Sequence, residues 1–209
     1  MRLLQGFIGN DDHDNLYNSF GHRCNEIDNL NFHNYVLFLG DNVALDLNKP
    51  IEDTYPYLIS KALKVDYYNL SIFNGGVDCF RFNLLSWFNK FKETPPRFIV
   101  VSFEFLNAVM VSNHNYDYLN PADFNNDDVK DLYHYANLSG FFTGRNLLNE
   151  SIISRHINVP IYQICFKDKN TLFNKNVYNI SYDGPLEDSH SISELFVKDY
   201  KLRNSKVRP

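Results

Sequence analysis

Four short clusters in the 209-residue chain carry side chains able to do chemistry: Gly40-Asp41-Asn42, Asn74-Gly75-Gly76, Phe105-Leu106-Asn107 and Glu187-Asp188-Ser189-His190. A histidine can serve as a general base, and a carboxylate close to it can orient the imidazole. Glycine turns and asparagine amides offer N–H donors where negative charge develops on an oxygen. These are parts of an acyl-transfer site. Each cluster also has a plainer reading when taken alone. Asp41 suits a cap or turn after a strand, and Asn74-Gly75-Gly76 suits a strand-ending turn. Asn107 can cap the segment that follows it. His190 can be a surface residue, with Asp188 or Ser189 as the N-cap of the last helix.

The clusters gain weight from the elements that must position them. Tyr35 to Leu39 is a continuous apolar run that stops at Gly40-Asp41, as a buried parallel strand does. Thr54 to Leu63 is predicted to be helical, with Asp53 as N-cap and Tyr57, Leu58 and Ala62 on one face. Tyr67 to Phe73 reads as the second strand. Cys79 to Phe91 reads as an amphipathic helix with Phe80, Leu84, Trp87, Phe88 and Phe91 at spacings of three and four. Arg97 to Phe103 is the third strand, Pro160 to Cys165 the fourth, Val177 to Ile180 a short fifth, and Ser191 to Tyr200 a closing helix. Between them, Asn113 to Asp128 is too long for an ordinary connection and suits a lid or insertion, and Val129 to His156 is broadly helical. This alternation implies right-handed βαβ crossovers and a mostly parallel sheet of about five strands. The expected fold is a three-layer αβα sandwich in a flavodoxin-like arrangement, with ligand contacts at the carboxyl ends of the strands.

With the clusters so placed, the stretch from Tyr35 to Tyr200 resembles the SGNH (GDSL-type) hydrolases. That family's first block is a GDS-type turn after the first strand, and FLGDN at Phe38 to Asn42 matches it except that Asn42 stands at the nucleophilic serine. YNLSIFNGG at Tyr68 to Gly76 matches the second block in position, making Gly75 or Gly76 the counterpart of the oxyanion glycine. The third block, G-x-N-D, keeps only Asn107. The last block, D-x-x-H before the C-terminal helix, keeps His190, with Glu187 at the aspartate position and Asp188 one residue off as the alternative. The resemblance implies Asp41, Gly75, Gly76 and Asn107 as oxyanion or ligand contacts, and His190 with Glu187 as the base pair. It does not supply an attacker. An asparagine amide is no substitute for a serine hydroxyl, whose removal from a triad costs about 10⁶ in turnover. The sequence therefore points to a catalytically degenerate module that binds a ligand or serves a structural or interaction role. The alternative is an active esterase removing acyl groups from a carbohydrate with a non-standard attacker, such as Ser71 or Ser102, or a water activated by His190 and a carboxylate.

Composition bounds the rest. Hydrophobic residues make up 44% of the chain and aromatics 16%, enough for one well-buried core rich in ring packing. The organisation expected is an N-terminal extension over residues 1–34, with a short strand from Leu3 to Ile8, packed on an α/β domain over 35–209. Net charge is −5 and no Lys/Arg stripe forms, so nucleic acid is not an expected partner. An acylated carbohydrate or other small ligand is. No G-x-G-x-x-G or P-loop is present, and no cofactor is expected. His13, His22 and His33 match no compact ligand spacing, so no metal is expected either. Glu104 reads as a solvated carboxylate at a strand end. Cys24, Cys79 and Cys165 are isolated and read as buried small hydrophobes in a reducing compartment. No secretory signal and no membrane span is legible, which suggests a soluble, cytoplasmic protein. The asparagine-rich composition suits an AT-rich source, a virion or host-cell setting among them.

Overall fold

The computed structural model describes residues 17–72, 77–102, 158–166 and 177–205, the side chains of 77–82 and 85 excepted. Among these residues five strands form one all-parallel sheet in the order β2-β1-β3-β4-β5. They are β1 (Tyr35–Gly40), β2 (Asp66–Asn69), β3 (Ile99–Ser102), β4 (Ile161–Phe166) and β5 (Val177–Tyr182). Four α-helices accompany them: the single turn α1 (Asn42–Leu45), α2 (Tyr55–Leu63), α3 (Val77–Lys90) and α4 (Ser189–Ser205). The α/β class, the parallel sheet and the flavodoxin-like order agree with expectation.

The apolar runs become strands because they are covered on both faces. Tyr35, Leu37 and Leu39 pack into a layer with Leu84 and Trp87 of α3. Val36 and Phe38 face the other layer, with Tyr55 and Ile59 of α2 and Ile192 and Phe196 of α4. Successive strand side chains point to opposite faces, so a run apolar at every position needs helices on both sides. The strand order enforces this. From β1 the chain crosses by α2 to β2 on one side, then returns by α3 to β3 on the other. With one crossover handedness, opposite directions of travel put α2 and α3 on opposite faces.

The boundaries differ from the sequence reading in ways that packing explains. Asp53 is not the N-cap of α2; it ends a 3-10 turn over Ile51–Asp53, and Thr54 occupies the cap. Thr54 spends its hydroxyl on the Ile51 carbonyl (2.7 Å), while Pro56 in the first helical turn has no amide hydrogen to satisfy. The buried face of α2 is Tyr55, Pro56, Ile59 and Ser60, whereas Tyr57 and Leu58 are half-buried and Ala62 is exposed. The regular part of β2 ends at Asn69, yet Leu70 N and Ile72 N still donate to the Phe38 and Gly40 carbonyls. Helix α4 is longer at both ends than the sequence suggested.

Residues 17–34 lie against the α3 face. Cys24 belongs to that core, Asn18 Nδ2 donates to the Tyr68 hydroxyl at 3.0 Å, and His22 Nδ1 sits 3.1 Å from the same oxygen. Cys24 and Cys165 are buried free thiols, with burial pushing Cys24 up to about 12 and Cys165 to about 11. His33 is exposed. The expected strand Leu3 to Ile8, His13, Phe73, Glu104, the stretch 113–128 and the helical region 129–156 lie outside the described residues. No helix among the described residues is long and apolar enough to cross a membrane.

Candidate functional site

The strand order reverses between β1 and β3, the place where open parallel sheets commonly bind ligands at the carboxyl ends of their strands. Gly40, the last residue of β1, pairs with Ser102, the last of β3. Backbone and helix crowd this point. A Cβ on Gly40 would sit 2.4 Å from the Ser102 carbonyl oxygen and 2.7 Å from the Ala44 Cβ. The glycine of the Gly-Asp-Asn cluster is thus required by the close approach of β3 and α1. Asp41 then caps α1, accepting from Val43 N at 3.2 Å, so its plainer reading holds in the structure.

Beyond that turn lies a cleft of about 450 Å³ lined by Asn42, Val43, Asp46, Leu47, Asn48, Leu186 and Glu187. One wall is α1 and the loop after it; the other is the loop that leads into α4. Of the residues singled out in the sequence, Asn42 and Glu187 meet on this cleft. Asp188 is used otherwise. Its Oδ1 accepts from Ser191 N at 3.0 Å as the cap of α4, and that amide holds its carboxyl below the usual range. His190 is exposed on the first turn of α4 and is not among the lining residues. Among the described residues no hydrogen bond joins Glu187 to His190. Gly75, Gly76 and Asn107 lie outside the described residues.

Ser71 and Ser102 are each 0% exposed. Ser102 Oγ is hydrogen-bonded to the Tyr55 hydroxyl, and burial drives that phenol far above its ordinary pKa. Ser71 Oγ is buried, with no hydrogen-bond partner among the described residues. Neither hydroxyl reaches solvent, where an ester would have to approach.

The cleft contains residues that sequence reasoning missed. Asp46, just after α1, adopts left-handed backbone (φ 44°) and turns the chain along the cleft. Its Oδ2 accepts from Lys49 Nζ at 2.7 Å and from Ser189 Oγ, on the opposite wall, at 2.8 Å. Lys49 Nζ also donates to the Glu187 carbonyl oxygen. Beneath this loop lies Arg23, 1% exposed, whose guanidinium donates to the carbonyls of Leu45, Asp46 and Lys49. Its burial pulls the guanidinium pKa down, opposed by the nearby Tyr17 and Asp46. Asp-Leu-Asn-Lys-Pro at 46–50 signals a turn in the sequence. Nothing local there indicates Ser189 or Arg23 as partners.

No protein-family model matches the chain, and no curated protein sequence matches it. Similar solved structures include a carbohydrate esterase whose active site displays divergent catalytic and non-catalytic binding functions, at a TM-score of 0.48 and 12% identity, covering 81% of this chain and 65% of that one. Another is a family two carbohydrate esterase from Clostridium thermocellum in complex with cellohexaose, at a TM-score of 0.47 and 11% identity, covering 84% of this chain and 65% of that one. The chain thus spans about 65% of the length of these two neighbours.

Proposed function

We propose that this chain is an SGNH-hydrolase-like protein that has lost ordinary ester hydrolysis and binds a ligand in the cleft between α1 and the loop before α4. One observation carries the reading. Asn42, which the family resemblance sets at the nucleophile's place, lines the same cleft that Glu187 lines from the other side. Serine-triad chemistry needs the nucleophile, base and carboxylate in hydrogen-bond reach of one another. Here the residue that the resemblance sets at the nucleophile's place is an amide, His190 is exposed, and among the described residues Glu187 makes no hydrogen bond to it. The lining suits a neutral polyhydroxylated ligand, an acylated carbohydrate in particular: Asn42 and Asn48 give paired donors and acceptors, Asp46 and Glu187 accept, and Leu47 and Leu186 offer apolar contact.

The test combines binding with turnover. Titration with cellohexaose and with an O-acetylated xylo-oligosaccharide should shift the amide signals of Asn42, Asp46, Leu186 and Glu187 in nuclear magnetic resonance spectra. Hydrolysis of 4-nitrophenyl acetate should stay at the buffer rate, and a fluorophosphonate probe should label no serine. Stoichiometric serine labelling would overturn the degenerate reading, and unshifted cleft amides with both saccharides would overturn the ligand.

The active-esterase reading retains one supporting observation, the nearness in sequence of exposed His190 to cleft-lining Glu187. With Ser71 and Ser102 enclosed, the attacker that fits this reading is a water activated by His190 and a carboxylate. It predicts measurable acetyl-ester hydrolysis in the unmodified protein that is lost in His190→Ala.

A further inference from the structure

Arg23, Asp46, Lys49 and Ser189 form a continuous chain of contacts that begins in the segment 17–34 and ends on the far wall of the cleft. Arg23 is a buried cation whose described acceptors are three backbone carbonyls, all in the 45–49 loop. A guanidinium is costly to bury and its fork of donors is rigid, so it fixes the positions of the carbonyls that satisfy it. The loop held in this way presents Asp46 and Lys49. Three bonds then cross between the two segments: Ser189 Oγ donates to Asp46 Oδ2 at 2.8 Å, and Lys49 Nζ donates to the Glu187 carbonyl and, at 3.5 Å, to Ser189 Oγ. The Asp46 carboxylate is only 10% exposed and also accepts from Lys49, so all three bonds draw on one shielded ion pair. Such a charge-assisted arrangement holds its geometry better than an exposed pair.

We infer that Asp46 and Lys49 are positioning residues that clamp the α1 loop to the loop before α4, and that Arg23 anchors this clamp to the segment 17–34. The clamp sets the separation of Asn42 from Glu187 before any ligand arrives. Its relevance to binding rests on the ligand-cleft reading above; its existence does not.

Amide hydrogen exchange on the full chain tests the clamp without a ligand. The reporters are hydrogen-bonded amides in the two segments behind the walls, Leu45, Asp46 and Lys49 in one and Asp188 and Ile192 in the other. Lys49→Met and Ser189→Ala should each speed exchange at least tenfold on both walls while β1 and β3 amides keep their protection. Lys49→Arg, which retains donors able to cross, should restore slow exchange. The inference fails if either variant leaves the facing wall unchanged, or if the strand amides speed up equally, which would mean general destabilisation. Ser189→Ala is the milder change and keeps the test decisive should Lys49→Met fold poorly. Intact coupling of the walls together with unshifted cleft amides on adding saccharide would separate failure of the ligand reading from failure of the clamp.

Discussion

The Gly-Asp-Asn turn contains three residues doing three different things. Gly40 is small because β3 and α1 converge on it, Asp41 caps α1, and Asn42 faces the cleft. Packing and capping account for the first two residues, which therefore say little about activity. The glycine makes this testable. In Gly40→Ala the new methyl group meets backbone, the Ser102 carbonyl oxygen at 2.4 Å, which cannot rotate away as a side-chain tip would. Overpacking of this kind costs roughly 1–3 kcal/mol. Urea unfolding of Gly40→Ala should show a loss in that range with the slope unchanged. A variant as stable as the parent would mean that β3 and α1 give way easily, and the close approach would no longer explain the glycine.

At the scale of elements, α4 shows how a capping residue links the site to stability. Asp188 accepts from Ser191 N and its carboxyl is held below the ordinary range, chiefly by that amide. A carboxyl whose folded pKa is lowered contributes stability above its unfolded pKa, and that contribution disappears as pH falls through the folded value. Asp188→Ala should therefore unfold at lower urea than the parent at neutral pH, and the charge-linked part of the gap should close in acid. A gap independent of pH would deny the carboxylate its role. The same helix shows what the sequence disclosed. The aspartate was legible as a candidate cap because Asp before an amphipathic run is a local signal. Likewise the apolar run Tyr35 to Leu39 and the Leu84–Trp87 stripe were legible, since periodicity reports burial. The cap of α2 was misread because Thr54 and Asp53 are adjacent and equally plausible caps, and a 3-10 turn absorbed Asp53. The clamp was not legible at all. Asp46 and Ser189 are 143 positions apart, and only the closing of the sheet brings them together.

For the whole molecule, aromatic packing on both faces of the sheet has a consequence in alkaline solution. Among the described tyrosines, burial disfavours the phenolate most strongly at four. Burial pushes Tyr35 up to about 12 and drives Tyr55, Tyr67 and Tyr68 well above their ordinary value. Tyr35 packs with Trp87, whose indole donates to its hydroxyl at 3.1 Å, while Tyr55 packs against Phe38 in the opposite layer. The phenols therefore report on both cores at once. The sign of the linkage follows from the raised values. Below the unfolded pKa near 10 both states hold the proton and stability is whole; above it the unfolded chain releases protons that the folded chain retains. Stability should fall with each step above pH 10, with these four residues adding their slopes. Phenolate absorbance at alkaline pH should show a first group of the 14 tyrosines ionising near the ordinary value with the fold intact. The remainder should ionise later, in one cooperative step coincident with loss of near-ultraviolet circular dichroism. A single smooth titration with the dichroism preserved would mean that water reaches these rings, and the two-layer core described for this sheet would have to be abandoned.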